Sequence, residues 1–363
     1  MKAPSRRDFL AGAAAAAALG ATAAGHAAPS PGRDHASLAA EVIAPFRALP
    51  GRKAVKFWSP GKSRKREFLA TLNPRLRLFC GSSFKAFVLC EVLRQLDAPG
   101  VGRQLEEQGL ALDESVWSPS SPVFNPPKLS GEVSLRTTLE AMISHSDNTA
   151  TDMALNLAGA DKVRKLISRI GLKDTFIPDS TRQFFGYIFG APNWQSVTWN
   201  EIDALLKSDP PLAHPVINDT QTMVSTPDDF VSFYSRALHG EFFEHPQTLN
   251  GFRTILTTAD AIARVIPIGV SAFLKGGSID ASPHHALCVA GGMYFSGRWT
   301  YFTTMINWEN DAETDLETVG AFAAATREAI GKVVDGLSDW QQSLTSPPSI
   351  GSPAGQAANA GAD

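Results

Sequence analysis

The segment 80–92 places a serine hydroxyl and a lysine amine in a mostly apolar stretch that predicts a buried helix. Ser82 and Lys85 are three residues apart, so they share one face of that helix. A desolvated lysine can accept the proton of the serine, and the N–H groups of the first helical turn favour a developing oxyanion. The pattern is weak alone, because the segment 59–62 has the same spacing and a core helix can simply carry both residues.

Two other short motifs are candidates for the same site. Ser146-Asp147-Asn148 falls at a predicted helix-to-helix junction, where short polar side chains can face a cleft. Lys275-Gly276-Gly277-Ser278 falls in a predicted strand, where the glycine pair permits close approach of a ligand to the backbone. Each motif also has an ordinary explanation, as a helix cap and as a turn.

Taken together and in this order, the three motifs resemble those of the class A serine β-lactamase family over roughly residues 35 to 335. The resemblance implies that Ser82 is the acylated nucleophile and Lys85 its base. It also implies that Ser146 passes the proton to the leaving nitrogen.

The same resemblance implies the substrate-binding residues. Asn148 would bind the side-chain amide of the substrate, and Lys275 would give electrostatic support across the cleft. The glycine pair that includes Gly277 would admit the substrate, and the backbone N–H groups of Ser82 and Ser278 would form the oxyanion hole. No cofactor and no metal are expected.

One departure from the family pattern concerns the pocket for the substrate carboxylate. Gly276 stands where the family has threonine, so the usual hydroxyl is missing, and Ser278 is a candidate replacement. The arginine often found on the next strand is also missing, and His284 or His285 falls nearest to its place.

A second departure concerns the glutamate that activates the deacylating water. Counting forward from Ser146 reaches residues 180–182, where the nearest acid is Asp179, and the first glutamate after the motif is Glu201. Counting backward from the helix start at 226–227 reaches Asp209, which implies an insertion over roughly 178–206. The two registers remain open, and Asp209 can equally be the start of a proline-rich turn.

The order of predicted elements is helix, strands, a mostly helical middle and three strands before a final helix. We therefore predict an α+β fold of the β-lactamase/transpeptidase type, in which an antiparallel sheet is built from both chain ends and flanked by helices. A mostly helical lobe, about residues 82–260, is inserted within a catalytic domain at 28–343. The Ser- and Pro-rich loop 113–131 offers Trp117 or Phe124 to line the cleft, and residues 344–363 are expected to be disordered.

The first 27 residues have the pattern of an export signal. Paired arginines, a short apolar run and small residues near Ala27 are typical of a twin-arginine signal, and the run is too short and Ala-rich for a convincing membrane span. A periplasmic or secreted protein without a stable membrane span after cleavage is expected.

Composition excludes other partner classes. The chain has 363 residues, 44% hydrophobic and 19% charged, with a formal net charge of −3, which suits a soluble globular protein and gives no basis for nucleic-acid binding. Three cysteines (Cys80, Cys90 and Cys288) allow at most one disulfide, and we expect Cys90 to be a buried thiol. We also expect a monomer that binds a small β-lactam or acyl-peptide substrate.

The leading hypothesis is therefore an exported serine hydrolase that opens β-lactam amides through an acyl-enzyme. An esterase or D-Ala peptidase with the same Ser82 and Lys85 is the rival within enzymes, motivated by the altered carboxylate pocket. A penicillin-binding trap or sensor that is acylated and not turned over is the rival from another class, motivated by the missing glutamate.

Overall fold

The computed structural model describes residues 34–61 and 67–345. The export signal and the tail beyond residue 345 lie outside the described residues. The helices in this part of the chain are α1 (His35–Arg47), α2 (Lys85–Gln95), α3 (Val101–Glu107), α4 (Leu135–Ser144), α5 (Asn148–Ala158), α6 (Ala160–Arg169), α7 (Thr181–Ile188), α8 (Trp199–Lys207), α9 (Pro227–Ala237), α10 (Pro246–Leu256), α11 (Ala261–Val265) and α12 (Leu316–Thr345).

The strands are β1 (Arg52–Ser59), β2 (Phe68–Leu72), β3 (Leu78–Phe79), β4 (Gly109–Leu112), β5 (Gly131–Ser134), β6 (Val224–Ser225), β7 (Ser271–Ala281), β8 (His284–Phe295) and β9 (Arg298–Glu309). The main sheet is antiparallel with the order β2-β1-β9-β8-β7, so strands from both ends of the chain meet at its centre. β7 lies at one edge and pairs only with β8 in this sheet.

The sheet is covered on both faces, so most residues of β8 and β9 are buried whichever face they point to. α1 and α12 pack together on one side of the sheet. On the other side, α9 lies against β1, β8 and β9, and Gly292 leaves the space that the side chain of Leu238 fills. This second side is the one that the helical lobe shares.

α2 is the central helix of the lobe. Every residue from Lys85 to Leu93 is buried, and the helix packs against α5, α6 and α10. The buried carboxylate of Glu91 is paired with Arg94 at 2.7 Å, whereas Lys85 has no such ion pair among the described residues. A buried lysine without a carboxylate partner is costly, and it draws attention to the start of α2.

The predicted α+β fold is confirmed, with a sheet built from both chain ends and a mostly helical region between them. The structure adds elements that the sequence did not predict, namely α3, α7, α8, α11 and the β4–β5 pair. The predicted final helix, α12, continues to Thr345. None of the helices in the described ranges is both long and apolar enough to cross a membrane.

Candidate active site

The start of α2 is held in place by its own backbone. A 3₁₀ turn over Gly81–Phe84 precedes α2, and the amide of Cys80 donates to the carbonyl of Met223 at 2.8 Å. Ser83 is buried and donates its hydroxyl to the carbonyl of Lys275 at 3.2 Å, whereas Ser82 is half-buried. Of the two serines, Ser82 is therefore the one that a substrate can reach.

The amine of Lys85 lies at the centre of a hydrogen-bonded cluster. Its Nζ is 2.6 Å from the carbonyl oxygen of Ser146, 2.7 Å from Asn148 Oδ1 and 3.3 Å from Ser146 Oγ. Burial lowers the pKa of Lys85 well below its ordinary value, and the charge of Lys275 lowers this pKa further. The structure thus brings Lys85, Ser146 and Asn148 into one cluster, and Ser82 lies one turn before Lys85, where its carbonyl oxygen accepts the backbone amide of Lys85.

The junction between α4 and α5 orients the groups that contact Lys85. Ser146 has φ of +58°, in the left-handed region that non-glycine residues rarely adopt, which turns its carbonyl oxygen towards Lys85. The buried carboxylate of Asp147 caps α5 through the amide of Ala150 and accepts the amides of Val123 and Phe124. Asp147 is therefore committed to holding the junction in shape.

Asn148 connects the junction to the opposite loop. Its Nδ2 donates to the carbonyl of Pro119 at 2.8 Å while its Oδ1 accepts from Lys85. One N–H of this amide group remains for another acceptor, because an Asn side chain has two.

β7 approaches the start of α2 backbone to backbone. A Cβ atom on Gly277 would lie 2.1 Å from the carbonyl oxygen of Cys80 and 2.6 Å from the amide nitrogen of Ser82. A Cβ atom on Gly81, which has φ of +49°, would lie 2.7 Å from the amide nitrogen of Ser278. The two glycines let the amides of Ser82 and Ser278 come close together, which is the arrangement an oxyanion hole needs.

Lys275 completes the site from β7. It is buried, and its Nζ donates to the carbonyl of Gly276 at 2.9 Å. Burial lowers the pKa of Lys275 to about 8, while the negative charge of Asp260 acts in the opposite direction. Lys85 and Lys275 together give the cleft two amines whose protonation states can differ near neutral pH.

The carboxylate pocket differs from the family pattern in a way the structure explains. Where Gly276 lacks a side chain, Ala261 of α11 fills the space, with its Cβ 3.1 Å from the position of a Cβ on Gly276. His285 does not replace the missing arginine, because it alternates to the opposite face from Lys275 along the β7–β8 pair. It is buried against Asp280 at 2.9 Å, and His284 lies 3.7 Å from Glu309.

The three acids that sequence counting proposed for deacylation are engaged away from Lys85. Asp179 pairs with Arg164 at 2.5 Å, and Glu201 closes a capping box with Thr198 at the start of α8. Asp209 is exposed just beyond the end of α8 with φ of +52°. None of the hydrogen bonds of Lys85 goes to any of these acids.

The segment 180–182, reached by counting forward from Ser146, lies beside the Lys85 cluster. The segment at Asp209, reached by counting backward from residues 226–227, packs elsewhere. The segment after Asp209 packs on α7, where the amide of Ala213 donates to the carbonyl of Ile188 at 2.8 Å. Thr181 instead donates its hydroxyl to Asp152 Oδ1 at 2.7 Å and lies 3.2 Å from the carbonyl oxygen of Asn148. The residue that meets the Ser146–Asn148 junction from this segment is therefore a threonine with its hydroxyl already bonded.

Hydrogen bonds that the sequence did not predict hold this segment against the helical lobe. The segment spans residues 177–223 and is called the excursion below. The buried carboxylate of Asp152 accepts the amides of Thr181 and Arg182 at 2.7 and 3.0 Å. Arg182 in turn donates to the carbonyls of Glu114, Ser115 and Trp117. The available signal was the position of Asp152 four residues after Asn148, on the same helix face.

The two aromatic residues of the loop 113–131 have different surroundings. Trp117 packs edge-on against Trp199 of α8 with ring centroids 6.1 Å apart, whereas Phe124 is buried. Cys80, Cys90 and Cys288 are free and buried. Within the described ranges, no group of three or more His, Cys, Asp or Glu residues is arranged to hold a metal ion.

Comparison with known proteins agrees with this geometry. A family model described as the beta-lactamase enzyme family matches residues 55–328. No curated protein matches the chain by sequence.

Solved structures resemble the chain over most of its length. A class A beta-lactamase from Bacteroides cellulosilyticus has a TM-score of 0.61 at 18% identity and covers 84% of this chain and 100% of its own. A beta-lactamase from Sphaerobacter thermophilus has a TM-score of 0.61 at 20% identity, with coverages of 87% and 100%. PBP-A has a TM-score of 0.60 at 15% identity, with coverages of 84% and 98%. At these identities the likeness establishes the fold alone.

Proposed function

The chain belongs to the beta-lactamase enzyme family, and from that premise we propose that it is a serine hydrolase that opens β-lactam amides through an acyl-enzyme at Ser82. The observation that carries the proposal is the environment of Lys85. Its buried amine, with a lowered pKa, contacts both Ser146 and Asn148 one helical turn from Ser82.

Acylation begins with proton transfer to Lys85. A neutral amine has two N–H donors and one lone pair. The carbonyl oxygen of Ser146 and Asn148 Oδ1 are both acceptors that take the donors, at 2.6 and 2.7 Å. The lone pair then remains for the proton of Ser82 as its Oγ attacks the carbonyl carbon of the lactam.

The oxyanion and the leaving nitrogen are served by different groups. The amides of Ser82 and Ser278 stabilise the oxyanion, and Gly81 and Gly277 permit their approach. When the oxyanion collapses, the C–N bond breaks and Ser146 Oγ donates its proton to the nitrogen. Lys85, 3.3 Å from Ser146 Oγ, returns the proton that it took from Ser82. Lys275 supplies positive charge across the cleft from Lys85.

A second candidate outcome is that the acyl-enzyme persists, so that the protein traps or senses β-lactams. It is favoured by the surroundings of the three acids that could activate the deacylating water. Asp179 and Glu201 are bonded elsewhere, and Asp209 is exposed. The hydroxyl of Thr181, which lies beside the cluster, is bonded to Asp152. Slow release of the acyl group follows if no carboxylate activates water. A solved structure of a PBP-A variant is described as an acyl-enzyme complex with penicillin G.

The altered carboxylate pocket supports a third candidate within the enzymes, an esterase or D-Ala peptidase. We further propose that the protein is exported by the twin-arginine route to the periplasm or beyond, with a catalytic domain at 28–343, and that it acts as a monomer. Measuring its location when it is expressed with and without the first 27 residues, and its mass by light scattering, tests these proposals.

One experiment separates the three candidates. The mature protein is mixed with a chromogenic cephalosporin and, separately, with a fluorescent penicillin, while turnover and covalent mass are followed together. Steady turnover that is lost in Ser82→Ala supports hydrolysis, and a stoichiometric burst with a lasting adduct supports the trap. No adduct and no turnover would contradict both and leave an ester or peptide substrate. Ser83→Ala is the matched control, because Ser83 is the buried neighbour.

A further inference from the structure

Asp260 occupies a position between the two walls of the proposed cleft. Its amide donates to the carbonyl of Ser144 at 3.2 Å, two residues before Ser146. The next residue, Ala261, packs where Gly276 has no side chain, directly beside Lys275. The start of α11 is thus hydrogen-bonded through its backbone to the end of α4, close to Ser146. It also packs against β7, the strand that carries Lys275.

Lys275 has no direct anionic partner in the part of the chain that the structure describes. Among the described residues no carboxylate forms an ion pair with it, and its Nζ donates only to the carbonyl of Gly276. Burial therefore favours the neutral amine, and the pKa of Lys275 falls to about 8. Asp260 is the acid whose charge favours the ammonium form of Lys275, and it acts on Lys85 in the same direction.

We propose that Asp260 is a positioning residue for acylation, whose carboxylate keeps Lys275 in its ammonium form while Lys85 remains free to act as the base. The inference rests on the proposed acylation of Ser82. It adds a residue to which the three motifs do not point, since Asp260 lies directly before α11, a helix that the sequence did not predict.

The other groups that face Lys275 do not supply this charge. Cys288 on β8 has its thiol pKa raised to about 12 by burial, and burial also raises the pKa of the Tyr234 phenol on α9, so both are neutral near pH 7. Lys85 on α2 repels positive charge. Asp147 and Asp152 on or beside α5 act on Lys85. Arg264 lies 3.8 Å from Asp260, so its positive charge opposes that of this carboxylate.

Removing the charge at Asp260 therefore changes both lysines in one direction. Acylation needs neutral Lys85, which sets the acid limb of its pH profile, and charged Lys275, which sets the alkaline limb. Because Asp260 favours protonation of both amines, its loss lowers both apparent pKa values of the coupled pair. The whole bell-shaped profile then moves to lower pH, which a purely structural loss does not produce.

The test measures the second-order rate of acylation of the full mature chain by a fluorescent penicillin from pH 5 to 10. In Asp260→Asn we expect both limbs to move down by about 0.5–1 unit, a modest shift for a partly exposed charge. The rate should then fall about three- to ninefold at pH 9 and rise at the acid end. Asp260→Glu, which keeps the charge, should retain the wild-type limbs.

The matched control is Asp161→Asn, because Asp161 also begins a helix and pairs with an arginine, Arg164, at 2.8 Å. It acts on neither lysine, so its profile should not move. The Asp260 side chain makes no capping bond, so the variant should fold, and thermal melting verifies this. Limbs that stay in place or move in opposite directions would overturn the role of Asp260. Absence of any wild-type adduct would instead overturn the proposed function.

Discussion

A Cβ atom on Gly277 would stand 2.6 Å from the amide nitrogen of Ser82 and 2.5 Å from that of Ser83. No real Cβ makes contacts this short with backbone, so an alanine at 277 must push β7 and the nucleophile turn apart. On the side of the edge strand, the close approach to the start of α2 therefore depends on a residue without a side chain.

Gly277→Ala should consequently damage both catalysis and stability. We expect acylation to fall at least about 100-fold, the usual effect of losing one oxyanion-hole donor. We expect the free energy of unfolding to fall by about 1–3 kcal/mol, as overpacking does. Stopped-flow labelling and urea unfolding measure the two effects. The control is Gly320→Ala, at a helical position with open space around it, which should leave acylation intact and be neutral or slightly stabilising. A wild-type acylation rate in Gly277→Ala would show that the amides of Ser82 and Ser278 do not act together.

Ser146 separates a chemical role from a backbone role. Its hydroxyl is proposed to carry a proton, whereas its carbonyl oxygen accepts from Lys85 and its φ of +58° carries strain. Ser146→Ala and Ser146→Gly should both lose acylation by about 100-fold or more. The glycine variant should be more stable than the alanine variant by about 1 kcal/mol, because glycine adopts the left-handed region without strain. Equal stability of the two variants would contradict the strained conformation.

The residues themselves show which parts of this site could be predicted from sequence. Thr226 and Pro227 begin α9 as predicted, because capping and the fixed φ of proline are local effects. Lys85 also contacts Ser146 and Asn148, an arrangement of distant residues that the order of the three motifs suggested and that no local pattern could predict.

Thr181 and Asp152 could not be paired from the sequence in the same way. Ser180 does cap α7, but the helix gains its place from an aromatic core within the excursion 177–223 and from a carboxylate 29 residues earlier. Whether residues 180–182 or Asp209 lie beside the active site depends on how the excursion packs against the lobe. That packing involves residues far apart in the sequence. The role of Gly276 was similarly hidden, because α11 fills the missing side chain from a separate part of the chain.

Lys275 should make stability depend on pH in a defined window. Its folded pKa is about 8 and its ordinary value is 10.5, so between these values the unfolded chain binds the extra proton. The free energy of unfolding contributed by this group must then rise with pH from about 8 to about 10.5. Relative to Lys275→Met, which cannot titrate, wild type should gain up to about 3 kcal/mol across that window. Urea unfolding of both proteins at pH 7, 9 and 10.5 tests this, and a constant difference would show that the amine is not buried.

Asp209 provides a test of the backward register. Because it is exposed beyond α8 in a segment that packs on α7, we expect Asp209→Ala to leave both the burst and the release of the acyl group within about twofold of wild type. Asp203→Ala, a neighbouring acid on α8, is the control for nonspecific loss. Selective slowing of deacylation in Asp209→Ala would restore Asp209 as the base and remove the main support for a persistent adduct.

Asp152 should control how firmly the excursion is docked beside Asn148. Its carboxylate accepts the amides of Thr181 and Arg182 and the hydroxyl of Thr181, all at 3.0 Å or less. An asparagine can accept at only one of its two terminal atoms, so Asp152→Asn turns at least one of these contacts into a clash of donors. We expect a loss of about 1–3 kcal/mol and faster hydrogen exchange at the amides of Thr181 and Arg182 than at those of α2. Asp161→Asn, an exposed acid on α6, should change neither. If exchange at 181 and 182 stays at the wild-type rate in the folded variant, the excursion is held by its aromatic contacts, such as Trp117 with Trp199, and Asp152 acts only through its charge on Lys85.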